Sequence, residues 1–185
     1  GNGSPGGMYI IGETECTIDG CTIAQNEGFG IQITSNVAAV ITNCTISENE
    51  ETGIYLAGGN STVANCTFNQ DCISIHPNNA DTYNIVDNTV NGRPLLYLAN
   101  SEDETVTGDY GQVILADCVN CTIADQTISD VDNGFILINC ADCTLQNLSV
   151  SNSKCGILLT DCAGCFSREC TAQNCETVIS LSTSC

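Results

Sequence analysis

The chain is 185 residues long, enough for one domain with its own core, and sets three basic residues against 22 acidic ones for a formal charge of −19. Nucleic-acid binding needs a cationic footprint, so that class is excluded, and an anionic membrane surface is disfavoured for the same reason. No apolar run reaches the roughly 18 residues of a membrane span, and no membrane insertion is expected.

The first stretch, Gly1 to Gly7, is glycine-rich and shows no targeting signal, so residues 1–8 are expected to be a flexible N-terminus. Beyond it the sequence repeats. Cys21-Thr22-Ile23, Cys44-Thr45-Ile46, Cys66-Thr67-Phe68, Asn88-Thr89-Val90, Cys121-Thr122-Ile123 and Cys143-Thr144-Leu145 recur, with Cys165-Phe166-Ser167 as a degenerate seventh. Their first positions differ by 23, 22, 22, 33, 22 and 22, so one interval carries 11 additional residues. Periods of this length mark a solenoid.

A second register keeps step with the first: Gly30-Ile31-Gln32-Ile33, Gly53-Ile54-Tyr55-Leu56, Cys72-Ile73-Ser74-Ile75, Gly134-Phe135-Ile136-Leu137 and Gly156-Ile157-Leu158-Leu159. Gly111-Gln112-Val113-Ile114-Leu115 joins it with a slip of one residue. Each segment alternates apolar and other residues, as a half-buried strand does, and Asn, Asp, Gly and Ser gather between them where the chain must turn. A leucine-rich repeat does not fit, because β-branched residues hold the repeat positions and no 3.6-residue apolar period occurs. The expected fold is all-β: one right-handed, single-stranded parallel β-helix of about 7–8 coils over residues 1–185, with residues 92–110 as an insertion between coils.

Strand parity sorts the faces. Ile23, Ile46, Phe68, Val90, Ile123 and Leu145 point inward, and the cysteine two positions earlier points with them. The intervening Thr22, Thr45, Thr67, Thr89, Thr122 and Thr144 form an outward threonine ladder. In the other register Ile114, Ile136 and Leu158 fall outside, an apolar stripe expected to be an assembly face; the competing expectation is a loop of the same chain folded over it.

Fifteen cysteines point to an oxidising compartment, and their odd number leaves at least one sulfur unpaired within the chain. Export is inferred from these cysteines alone. Cys118-x-x-Cys121, Cys140-x-x-Cys143 and Cys162-x-x-Cys165 match a zinc-ribbon spacing, but any motif placed once per coil recurs at 22, and the match loses its weight. Ladder cysteines stacked at about 4.8 Å lie farther apart than the ~3.8 Å between Cβ atoms of a disulfide. Cys16, Cys72, Cys155, Cys170, Cys175 and Cys185 fall off the ladder and make better bridge partners; Cys118, Cys140 and Cys162 complete the set of disulfide candidates. Terminal Cys185 is the first candidate for an interchain bond.

No catalytic or resident metal site is expected. Lyases of β-helix fold need a basic residue beside a nest of acids, and Arg93, Lys154 and Arg168 have no such neighbours in the pattern; hydrolases need two acids aimed across one groove. The lone His76, before Pro77, reads as a turn residue. The acidic Ser101-Glu102-Asp103-Glu104 in the insertion suits Ca²⁺, a neighbouring molecule or plain solvation. Among the Asn-x-Ser/Thr sequons, Asn60 in its Gly-Gly turn is the glycosylation candidate.

The phrase Asn-Cys-Thr-Ile-Ser-x-Asn…Gly-Ile-x-Leu, running from Asn43 to Leu56 and echoed from Asn120 to Leu137, resembles the parallel β-helix repeat family, which includes NosD-like periplasmic proteins and many archaeal surface proteins. Small size, high cysteine, acidity and chain-long repeats are also similar to the cysteine-rich major sheath proteins of filamentous methanogenic archaea. The narrower resemblance implies self-assembly into an extracellular sheath or surface layer, with copies of itself as partner and intermolecular disulfides as locks. Glycine-rich at one end and in mid-coil at the other, the chain shows no solenoid cap, which favours the same expectation. The alternatives are a NosD-like helper or a secreted carbohydrate-binding or carbohydrate-active β-helix.

Overall fold

The computed structural model describes residues 6–12, 15–34 and 37–182. The chain is an all-β right-handed β-solenoid of about eight turns spaced about 22 residues apart. Among the described residues the sole helical element is one 3₁₀ turn, Pro77–Asn79, capped by the Nδ1 of His76, which accepts from the Asn78 N–H at 3.3 Å. No helix among them is long and apolar enough to cross a membrane. The contacts divide the chain into two compact units, Gly1–Leu95 and Leu96–Cys185.

The first unit has three walls. One stacks Met8–Ile10, Ile31–Ile33, Ile54–Leu56 and Ile73–Ile75; the second stacks Cys16–Asp19, Ala39–Thr42, Thr62–Ala64 and Asn84–Val86; the third stacks Thr22–Ala24, Thr45–Ser47, Thr67–Asn69 and Thr89–Val90. Within each wall the pairing is parallel and in register, so Ile31 meets Ile54, Ile41 meets Val63, and Ile46 meets Phe68. These residues close the core, and Ile31, Ile41, Ile46, Ile54, Val63 and Phe68 are fully buried. The outward ladder also forms: Thr22, Thr45 and Thr67 are exposed and stacked, and Thr89 follows half-buried.

The segment expected as an insertion contains regular structure. Asn91 and Gly92 both have positive φ, 49° and 78°, the requirement of a two-residue hairpin turn that matches strand twist. Thr89–Val90 therefore pairs antiparallel with the start of Arg93–Ala99. In the second unit, Glu102 bridges to Val119 and Thr105 pairs with Thr122, so the acidic stretch is laid against a coil as part of its wall.

The second unit has larger strands on one wall: Gln112–Ala116, Asn133–Ile138, Cys155–Thr160 and Thr177–Ser182. A one-residue ladder, Glu102, Val119, Ala141 and Ala163, follows. Two short-stranded walls complete each coil, with Thr122–Ala124 on Thr144–Gln146 and Thr127–Ser129 on Ser149–Ser151.

Most bends between walls share one mechanism; the bend after Ile75 turns through Pro77–Asn79 instead. Twenty-one non-glycine residues among those described have positive φ, and seventeen of these are Asn or Asp. These two residues tolerate the left-handed conformation because their short polar side chains bond locally, whereas a β-branched residue there is strained. Asn65 is such a corner: its φ is 54° and its side chain is exposed. Asn65→Val should therefore cost about 1–2 kcal/mol. Asn65→Gly should change stability by less than about 1 kcal/mol. Urea denaturation of the two variants checks the contrast, and equal losses would count against the corner mechanism.

Candidate functional site: the corner columns and a lattice of thiols

At most corners the left-handed residue is followed by one whose side chain turns inward, and that place is where the cysteines of the repeat sit. Cys44, Cys66, Cys118, Cys121, Cys140 and Cys143 are buried. The thiol donates weakly to the carbonyl two residues earlier: Cys44 to Thr42 at 3.1 Å, Cys140 to Ile138 at 3.3 Å, Cys118 to Ala116 at 3.4 Å. Ser153 at 3.1 Å and Gln126 at 3.0 Å make the same i−2 bond at equivalent corners. Cysteine at a corner is thus a small apolar filler that also satisfies a bent strand's last carbonyl.

The outer side of the same corners carries a second set of columns. Asn43 donates from its amide to Asp19 at 2.7 Å, Asn120 to Asp103 at 2.6 Å, Asn147 to Asp125 at 2.7 Å and Asn152 to Asp130 at 3.1 Å, each reaching the preceding coil. An inner column runs the other way, toward the following coil: Asn26 donates to Asn49 Oδ1 at 2.6 Å, and Asn49 to the buried Asp71 at 2.8 Å. Asn60, the glycosylation candidate, is exposed at its turn with φ 58°, and its backbone N–H donates to Thr82. Asp103 of the acidic stretch is itself a corner (φ 60°), and no group of three or more His, Cys, Asp or Glu among the described residues is arranged to hold a metal ion.

No disulfide joins any of the fourteen described cysteines, and Cys185 lies outside the described residues. Sequence reasoning favoured the off-ladder cysteines as mutual partners, but the structure gathers the ladder ones. Cys140 lies close enough to Cys118, Cys143 and Cys162 for the thiols to shift one another's titration, as Cys143 does to Cys121 and Cys165. Of the off-ladder set, Cys155 lies close enough to Cys175 to feel its charge. Cys16 opens the second wall of the first unit, half-buried beside Ala39, and Cys72 is fully buried one position before Ile73. Cys170 donates to the Arg168 carbonyl at its own corner. The signal that was available is the repeat itself, because i and i+22 stack at the coil spacing.

This arrangement tunes the thiols against one another. Donation from Cys140 pulls Cys118, Cys143 and Cys162 below the ordinary thiol range, and the same bonds, with burial, push Cys140 up. At the margin, burial pushes Cys165 up to about 12, and in the first unit Cys66 to about 11.

The assembly face expected at Ile114, Ile136 and Leu158 needs correction. Ile114 and Ile136 are 0% and 1% exposed and Leu158 is half-buried. The chain itself covers this row, because an apolar stripe of that size is more stable out of water.

Fold and geometry define a β-solenoid whose polar and thiol side chains are spent between coils. The family model described as "Right handed beta helix region" matches residues 2–110, and the chain belongs to that family. A second model, "Periplasmic copper-binding protein (NosD)", matches residues 94–185. No curated protein matches the chain significantly. Among solved structures, one described as a "putative glycosyl hydrolase from Parabacteroides merdae" aligns over 84% of this chain and 80% of its own, at 13% identity and a TM-score of 0.19.

The corner columns make a pH prediction. Hydrogen bonds from Thr42 and then Asn43 hold the Asp19 carboxyl below the usual carboxylate range. A lowered folded value means that its stabilisation is complete above the unfolded value near ~3.9 and is lost as pH falls through the lower folded one. NMR titration of Asp19 should show a midpoint below that of a model peptide, and Asn43→Ala should move it upward. An unmoved midpoint would sink the assignment.

Proposed function

We propose that this protein is an exported structural β-helix, working outside the cytoplasm as a repeating unit of an envelope layer or sheath. The observation that carries the reading is that one device recurs coil after coil. A left-handed Asn or Asp bonds a neighbouring coil on the outside and an inward residue fills the corner on the inside. Polar side chains such as Asn43, Asn120, Asn147 and Asn152 are thereby committed to holding the solenoid together. A surface that repeats at every coil presents repeated, equivalent contacts to a second copy, as a structural element requires. Fifteen cysteines favour an oxidising compartment. The acidic surface favours a medium in which salt or divalent cations screen its charge. Because Ile114 and Ile136 are covered, contact between copies would use other surfaces than that stripe.

Electron microscopy of the native material, paired with non-reducing electrophoresis, tests this reading. Filaments, sheets or tubes are expected, with high-mass species that collapse on reduction. Dispersed monomer under both conditions would overturn it.

A NosD-like periplasmic role is the second reading, favoured by the match over residues 94–185. Its location agrees with the first. Its copper does not fit the side chains as arranged: His76 and Met8 lie outside the matched segment, and no described group of three or more potential ligands is arranged to hold a metal ion. Elemental analysis of purified protein should find no stoichiometric copper; one or more copper ions per chain would favour this reading over the first.

A further inference from the structure

Six cysteines in three successive coils form two columns, Cys118, Cys140 and Cys162 in one and Cys121, Cys143 and Cys165 in the other. The ladder Val119, Ala141 and Ala163 runs between the columns and holds the coils in register. Thiols of one coil reach carbonyls of the coil before: Cys140 to Leu115 at 3.6 Å, Cys143 to Cys118 at 3.7 Å, Cys162 to Leu137 at 3.4 Å and Cys165 to Cys140 at 3.7 Å. Every thiol also lies close enough to its neighbours in the array, along the columns and across each coil, to influence their titration. The array is a two-by-three lattice in which no neighbour contact is missing.

We propose that these six thiols are a self-contained disulfide-forming site, closing three intrachain bridges among themselves and none to cysteines elsewhere. An even array with only nearest-neighbour contacts can pair completely in three ways, and the partner of Cys140 decides which. If Cys140 takes Cys143, each coil closes its own pair: Cys118–Cys121, Cys140–Cys143 and Cys162–Cys165. If it takes Cys118, then Cys121–Cys143 and Cys162–Cys165 follow. If it takes Cys162, then Cys143–Cys165 and Cys118–Cys121 follow. These are a small minority of the connectivities open to six cysteines. Pairs within a coil are favoured, because column neighbours stack with parallel side chains at about 4.8 Å while a disulfide draws its Cβ atoms to ~3.8 Å.

The oxidant is a low-molecular-weight disulfide. One lattice thiolate attacks it, forming a mixed disulfide and releasing one small thiol. The neighbouring lattice thiolate then displaces the second small thiol and closes the bridge. Per bridge, two cysteine thiols are oxidised and lose their protons, and one small disulfide is reduced to two thiols. This chemistry does not depend on assembly, so the microscopy that tests the proposed function and the mapping below fail independently.

The test is to refold the full chain from denaturant and reductant into a glutathione redox buffer, alkylate in denaturant, and map bridges by non-reducing proteolysis and mass spectrometry. All six should be protected and linked in one of the three patterns. A bridge from any of them to Cys155, Cys170 or Cys175, a bridge to a second chain, or six alkylated thiols in a chain whose circular dichroism shows the β-fold would overturn the proposal. Cys140→Ser leaves five thiols, and serine keeps the corner bond that Ser153 makes. That variant should show two lattice bridges and one alkylatable thiol; its orphan bridging outside the lattice would equally count against a closed site.

Discussion

A coil of about 22 residues must change direction several times, and extended L-residues cannot turn so sharply while keeping the next strand in register. The left-handed residue at most corners resolves this, and much else in the protein hangs on it. It selects Asn and Asp over β-branched side chains. It throws the following side chain inward at most corners, where Cys, Ser, Leu148, Val131 or a buried polar group such as Asn49, Asp71, Asn88 or Gln126 stands. It leaves the corner's own polar side chain on the outside, one coil spacing from its counterpart. Strand, corner and core are consequences of one backbone conformation repeated.

Charge follows from the same geometry. Asp at every corner would stack carboxylates a coil spacing apart, with repulsion along each column. The columns instead mix acid and amide: Asp117, Asn139 and Asp161 in one, Asp103, Asn120 and Asp142 in another, and Asp130, Asn152 and Asn174 in a third. An amide has a donor for each carboxylate and turns a repulsive contact into a hydrogen bond. A chain with formal charge −19, its Lys154 paired with Asp132 at 2.7 Å, can therefore hold its acids on a stacked fold. The inner column of half-buried Asn26 with buried Asn49 and Asp71 applies the same rule inside.

The thiols are where packing and chemistry meet. Corner placement explains why cysteine suits the position without any reaction, since Ser153 and Gln126 make the same bond. In the second unit two such corners lie three residues apart in each of three coils, and only that coincidence puts six sulfurs side by side. A filler repeated in register becomes an array with reactivity of its own. In the first unit the column Cys21, Cys44 and Cys66 has no second column beside it, and Asn88 takes the next place, its amide oxygen accepting from the Cys66 N–H at 2.9 Å.

Two of the three walls of the first unit were legible in the sequence, because Cys-Thr-Ile and Gly-Ile-x-Ile mark their strands. The third, Cys16–Asp19 to Asn84–Val86, was not, since three or four residues of weak alternation carry too little periodicity. Asn91-Gly92 announced a hairpin but sat inside an interval read as excess length. Coil period, inward parity and corner residues follow from the sequence alone, because alternation and left-handed preference are properties of a residue and its immediate neighbours. Tertiary structure alone decided that Ile114 and Ile136 are covered and that Cys140 stands at the centre of six thiols. Both depend on which distant segments come to lie against a residue, and no local preference encodes that.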